Sequence, residues 1–167
     1  TPLTLAETAS VFGEELTFRR LLAQTSDPRR RRVLLAGKIE DALNTVVRQI
    51  AFCEFERRVH DARREGELTA DDLAGLWMAV QTESLGPAFD LADDYRVFWS
   101  YIPHFIHVPF YVYAYAFGDC LVKALVGVYE REPDGFEAKY VELLRAGGTL
   151  RHDELLAPFG LDARDPA

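Results

Sequence analysis

The run Val33-Leu-Leu-Ala-Gly-Lys-Ile-Glu-Asp-Ala-Leu-Asn-Thr-Val-Val-Arg-Gln-Ile-Ala-Phe52 decides the fold class. Val33, Leu34, Ala36, Ile39, Leu43, Val46, Val47, Ile50 and Phe52 recur at a helical period. Asp27-Pro28 supplies an N-cap followed by proline at the first helical position, and Gly66 closes the run. One long helix is therefore predicted from Pro28 to about Glu65. Its basic start, Arg29 to Arg32, sits at the wrong end for the helix dipole. That cluster reads as a solvated first turn seeking a salt-bridging partner elsewhere, not as a phosphate site.

Working outward, the chain reads as helix throughout. A first helix is expected over residues 4–24, ending in Thr25-Ser26-Asp27. Another starts at Thr69-Ala-Asp-Asp72, carries Leu73, Leu76, Trp77 and Val80 on one side, and ends near Gly86-Pro87. Residues 88–108 are the least regular, and Pro103 and Pro109 at the ends of the histidine-bearing stretch predict a loop or short helices. Pro109 is expected to open a strongly apolar helix to about Glu130, followed by helices from about Asp134 and over Arg151–Leu156. Asp119 and Lys123 inside the apolar helix favour a buried central helix over a membrane span. No run alternates as strands would, and no linker or repeat divides the chain. The fold class is all-α, as one unit over residues 1–167, with one long helix and one buried apolar helix.

Composition narrows the function. With 167 residues, 49% of them hydrophobic and 28% charged, the chain can bury a globular core. A net charge of −8 argues against nucleic-acid binding, which needs a basic face. Two distant cysteines, Cys53 and Cys120, form no disulfide framework or thiolate zinc motif, and no charged leader precedes an apolar run. A cytoplasmic setting is expected. The opening on Thr1-Pro2, without Met, reads as the middle of a longer protein.

Two stretches could carry chemistry. In Thr4-Leu-Ala-Glu-Thr-Ala-Ser-Val-Phe-Gly-Glu14, helical spacing puts Glu7, Ser10, Val11, Glu14 and Phe18 on one face. Glu7 and Glu14 lack a basic residue at i+4, so a carboxylate on such a stripe would suit a metal ion. Thr4 with Glu7 is equally a capping box, and Glu14 a surface acid. Glu15, with Arg19 at i+4, reads as a solvated pair. The second stretch holds His104 and His107, a weak metal signal, followed by Tyr111, Tyr113 and Tyr115. A tyrosine beside a histidine can donate to a developing oxyanion, although aromatic core packing also explains the cluster. The chain contains no His-Glu-x-x-His and no Glu-x-x-His.

Four blocks in order resemble the C-terminal catalytic part of the oligoendopeptidase F group, within the thimet-oligopeptidase family of zinc metallopeptidases. They are Leu5-Ala-Glu-Thr-Ala-Ser-Val-Phe-Gly-Glu14; Ile39-Glu-Asp with Val47-Arg-Gln-Ile-Ala-Phe-Cys-Glu-Phe-Glu56; Gly66-Glu-Leu-Thr69 with Leu76-Trp77; and Phe98-Trp-Ser-Tyr-Ile-Pro-His-Phe105 with Pro109-Phe-Tyr-Val-Tyr113. The resemblance implies an all-helical zinc endopeptidase acting on oligopeptides. It implies Glu7 as the third zinc ligand, with Glu14 supporting it from behind. It implies His104 as a residue hydrogen-bonding the substrate backbone, and Tyr113, with Tyr111 as the less certain neighbour, as the oxyanion donor. In such enzymes zinc acidifies a bound water and polarises the scissile carbonyl, and the motif glutamate takes the proton.

The departure from the family is equally informative. The two zinc histidines and the general base of His-Glu-x-x-His are missing, as is the large N-terminal part that roofs the cleft. The expectation is a C-terminal fragment, inactive alone and prone to self-associate through surface that the missing part would cover. The alternative is a non-catalytic helical module binding a peptide or a protein. Neither nucleic acid nor membrane is expected as a partner.

Overall fold

A computed structural model describes Leu5 and residues 7–164. Every regular element among them is helical, as the sequence predicts. In order these are α1 (Thr8–Gln24), α2 (Pro28–Ala42), a π-helical turn (Leu43–Val47), α3 (Arg48–Arg63) and α4 (Ala70–Leu85). Next come 3₁₀ segments at Gly86–Ala88 and Asp93–Tyr101, then α5 (His104–His107), α6 (Tyr113–Arg131), α7 (Phe136–Ala146), α8 (His152–Leu156) and a 3₁₀ turn at Ala157–Phe159. The chain divides into two compact units, Thr1–Asp41 with Phe117–Ala167, and Ala42–Ala116.

The long helix forms, but its apolar stripe is not a core. Residues 28–63 are helical without a break, and the π turn at Leu43–Val47 holds an extra residue that shifts the register beyond it. No residue of α2 is buried, and Val33, Ile39, Leu43 and Ile50 are each more than half exposed. Beyond the π turn, α3 does bury a stripe, with Ala51, Phe52, Phe55 and Glu56 facing inward. Periodicity set the helix; packing partners decide which part of it is interior.

The first unit is built on Phe12 of α1, Leu121, Val122 and Leu125 of α6, Phe136 and Leu143 of α7, and Leu155 and Leu156 of α8. The Phe12 ring stacks on Tyr140 at 4.4 Å and on Phe136 at 5.9 Å. Burying each such side chain contributes roughly 1.5–3 kcal/mol. The register of α1 differs by one residue from the sequence reading. Thr8, Phe12 and Glu15 are its buried residues, whereas Glu14 is exposed and Glu7 half-buried. Glu15 is thus no solvated pair: Arg19 Nε donates to it at 2.8 Å, and Lys38 Nζ reaches it at 3.0 Å. Among the described residues Arg31 pairs with no acid. It donates to the carbonyls of Leu22 and Thr25, satisfying acceptors left over at the end of α1.

The second unit centres on Trp77, whose ring lies 5.5 Å from Phe52 and 5.3 Å from Phe55. Its indole N–H donates to the Tyr95 carbonyl at 3.0 Å, so the buried polar atom is matched. Thr69 and Asp72 form the full capping box that starts α4. The expected apolar helix is α6, with Ala114, Ala116, Val122, Leu125 and Val126 buried and Asp119 held by Lys123. It starts at Tyr113, not Pro109. None of the described helices is long and apolar enough to cross a membrane.

Candidate active-site loop

The segment from Pro103 to Tyr115 gathers most of the chemistry-bearing side chains. Pro103 opens the single turn α5, where the His107 amide donates to the Pro103 carbonyl at 2.9 Å and the Val108 amide to His104 at 3.0 Å. Phe105 anchors this turn, its ring 5.6 Å from Phe52 and 5.1 Å from Phe55 of α3. With its neighbour fixed, His104 is held half-buried beside the tyrosines. Its Nε2 lies 3.1 Å from the Tyr115 hydroxyl, and its ring stacks over Tyr111 at 5.9 Å and 24°. Tyr111 and Tyr115 meet edge-on at 5.3 Å.

Tyr111 and Tyr115 both lie against His104, and Tyr113, the first residue of α6, is half-buried. His104 and Tyr111 are thus brought together, and His104 also meets the hydroxyl of Tyr115, which sequence reasoning did not single out.

Before α6 the backbone turns sharply at Phe110, which takes φ 59°, a left-handed value rare outside glycine. The Phe110 amide donates to Glu56 Oε1 at 2.8 Å. Glu56 is only 2% exposed, and its other oxygen has no hydrogen-bond partner among the described residues. Burial pushes the Glu56 carboxyl above its ordinary value, opposed in part by the Phe110 amide and the nearby His60 and His104.

The remaining predicted residues lie in the first unit. Glu7 stands at the N-cap of α1, its carbonyl accepting from the Val11 amide at 3.1 Å. Gly118 of α6 passes close beside it, and a Cβ there would come within 3.1 Å of Glu7 Cβ, so glycine permits this approach. Glu14 is exposed. The capping-box reading involves Thr4, outside the described residues. Among the described residues no cluster of three or more His, Cys, Asp and Glu side chains could hold a metal ion.

Every regular element among the described residues is helical, and a family model takes in the whole chain. The model of Peptidase family M3 matches residues 1–167, and the chain belongs to that family. It is 31% identical over 163 residues to the oligopeptidase PepF of Bacillus subtilis (strain 168), covering 97% of this chain and 24% of that protein. It is 32% identical over 162 residues to the plasmid-encoded oligoendopeptidase F of Lactococcus lactis subsp. cremoris, covering 96% and 27%. The crystal structure of oligoendopeptidase-F from Enterococcus faecium superposes with a TM-score of 0.82 at 29% identity, over 96% of this chain and 31% of that one. The chain spans about a quarter of the length of the curated relatives it matches.

Proposed function

We propose that this chain is the substrate-handling part of a zinc-dependent oligopeptidase acting on short peptides. The observation that carries the reading is the cluster of His104, Tyr111 and Tyr115, built on a Pro-His-Phe loop in a family M3 chain. A peptide offers backbone N–H and C=O groups and, during hydrolysis, an oxyanion. His104 hydrogen-bonds the peptide backbone. Tyr113 donates to the oxyanion, with Tyr111 as its neighbour in that task. Glu7 serves as one zinc ligand with Glu14 supporting it, and the histidine ligands and the general base come from outside these residues. Alone, the chain cleaves nothing. The exposed apolar stripe of α2 supports self-association when the rest of such a polypeptide is lacking. The setting is cytoplasmic, in keeping with two free thiols.

The test uses the full-length polypeptide that carries these residues and an internally quenched peptide. Tyr113→Phe should lower kcat about 100-fold with little change in KM, since one oxyanion donor is worth roughly 3 kcal/mol of barrier. Near-normal turnover overturns that role.

A further inference from the structure

Several features of α3 point at the same turn. Phe52 and Phe55 hold Phe105, Glu56 grips the Phe110 amide, and the His60 ring lies 4.7 Å from the Phe110 ring. Spaced at i, i+3, i+4 and i+8, these residues form one face of the helix. Phe110 is therefore held at both ends, by its amide and by its ring.

Glu56 is a poor choice for stability alone. A buried carboxylate is costly unless fully partnered, and this one has a single amide donor and a second oxygen with no hydrogen-bond partner among the described residues. Glu54, two residues earlier, shows the ordinary arrangement, with its carboxylate bonded by both Arg57 and Arg58. The charged or titratable neighbours of Glu56 are instead Cys53 and His60, on its own helix, and His104, on the loop. Its one strong contact falls where the loop backbone is strained, at the non-glycine positive φ of Phe110. The bond from that amide offsets the unfavourable conformation.

We infer that Glu56 is a positioning residue, whose buried carboxylate pins the left-handed turn at Phe110 and so fixes His104, Tyr111 and Tyr115 in register for a peptide substrate. The inference rests on the peptidase reading of that loop. Glu56 itself touches no reacting atom. It acts through the Phe110 amide, one residue before Tyr111, and sets where the chain enters α6.

The test compares Glu56→Leu, Glu56→Asp and Glu56→Gln in the full-length polypeptide. Leucine removes the acceptor while filling the space, aspartate draws the acceptor back by one methylene, and glutamine keeps it without the charge. Hydrogen exchange of the Phe110 amide and steady-state cleavage of a quenched peptide are measured together. For Glu56→Leu, exchange at Phe110 should quicken and kcat should fall, each about tenfold or more, with KM within about twofold of wild type. Glu56→Gln should restore amide protection and most of kcat, a rescue that mere filling of the core would not give. Glu56→Asp should lie between, and it decides the matter if the leucine variant does not fold. Wild-type protection of Phe110 in the leucine or aspartate variant overturns the inference, as does unchanged kcat once protection is lost. If the wild-type polypeptide cleaves no peptide, the peptidase reading falls, and amide exchange alone still decides whether Glu56 holds the turn.

Discussion

Each unit buries one glutamate, and the two are solved differently. Glu15 in the first unit is surrounded by cations: Arg19 at 2.8 Å and Lys38 at 3.0 Å, with Arg19 extending to Glu130. Burial pushes its carboxyl up, but the two cations outweigh that effect and hold it below its ordinary value. Glu56 in the second unit accepts from the Phe110 amide alone among the described residues and stays above its ordinary value, with burial the largest cause. A closed ion network is what structure alone requires. An incompletely partnered carboxylate beside a strained turn and a histidine is what a positioned site requires.

The cores themselves allow the strongest contrast. Trp77→Ala should destabilise by about 4 kcal/mol, because a fully buried aromatic leaves a large cavity and the Tyr95 carbonyl loses its donor. Leu125→Ala in the first unit should cost about 3 kcal/mol. Denaturant unfolding gives both values, and hydrogen exchange should place the greatest loss of protection within residues 42–116 for the first and around α6 and α7 for the second. Equal loss everywhere in both variants would erase the distinction between the cores.

Next in size is Glu15→Ala, expected to destabilise by about 2 kcal/mol. That is below the usual figure for a broken buried pair, because Arg19 and Lys38 both reach solvent. A change within experimental error would mean that the network is ornamental.

The smallest effects carry opposite signs. The folded pKa of Glu15 is lowered, so its stabilisation is present above the ordinary value of 4.5 and fades as pH falls through the folded pKa. The folded pKa of Glu56 is raised, so its contribution is present below 4.5 and fades as pH rises through the folded pKa. Stability measured against pH should therefore lose part of its acid-side fall in Glu15→Gln, and part of its fall on raising the pH above 4.5 in Glu56→Gln. Slopes altered in the same direction would contradict the assignment.

Much of this was legible beforehand. The helices followed from period, caps and breakers, and Thr69 with Asp72 formed the capping box that their spacing advertises. What escaped was the company each residue keeps. The sequence put Glu7 and Glu14 on the stripe of α1, but Thr8, Phe12 and Glu15 are buried, since Lys38 supplies a charge that local spacing cannot show. The π turn at Leu43–Val47 has no signature in apolar period, so the interior stripe of α3 could not be traced from α2. Tyr115 meets His104 across a turn whose shape depends on Phe110, a conformation that its sequence does not announce. Glu56 could have been found. It lies at i+4 from Phe52 and i+1 from Phe55, and a carboxylate on an apolar stripe is the same signal that drew attention to Glu7.

The most direct test of the central claim is peptide turnover by the His104→Ala variant of the full-length polypeptide, with bound zinc read on the same sample. The account predicts zinc content equal to wild type and turnover reduced at least about tenfold, as expected for loss of a hydrogen bond made to substrate and not to metal. Wild-type turnover, or loss of zinc along with activity, would contradict it.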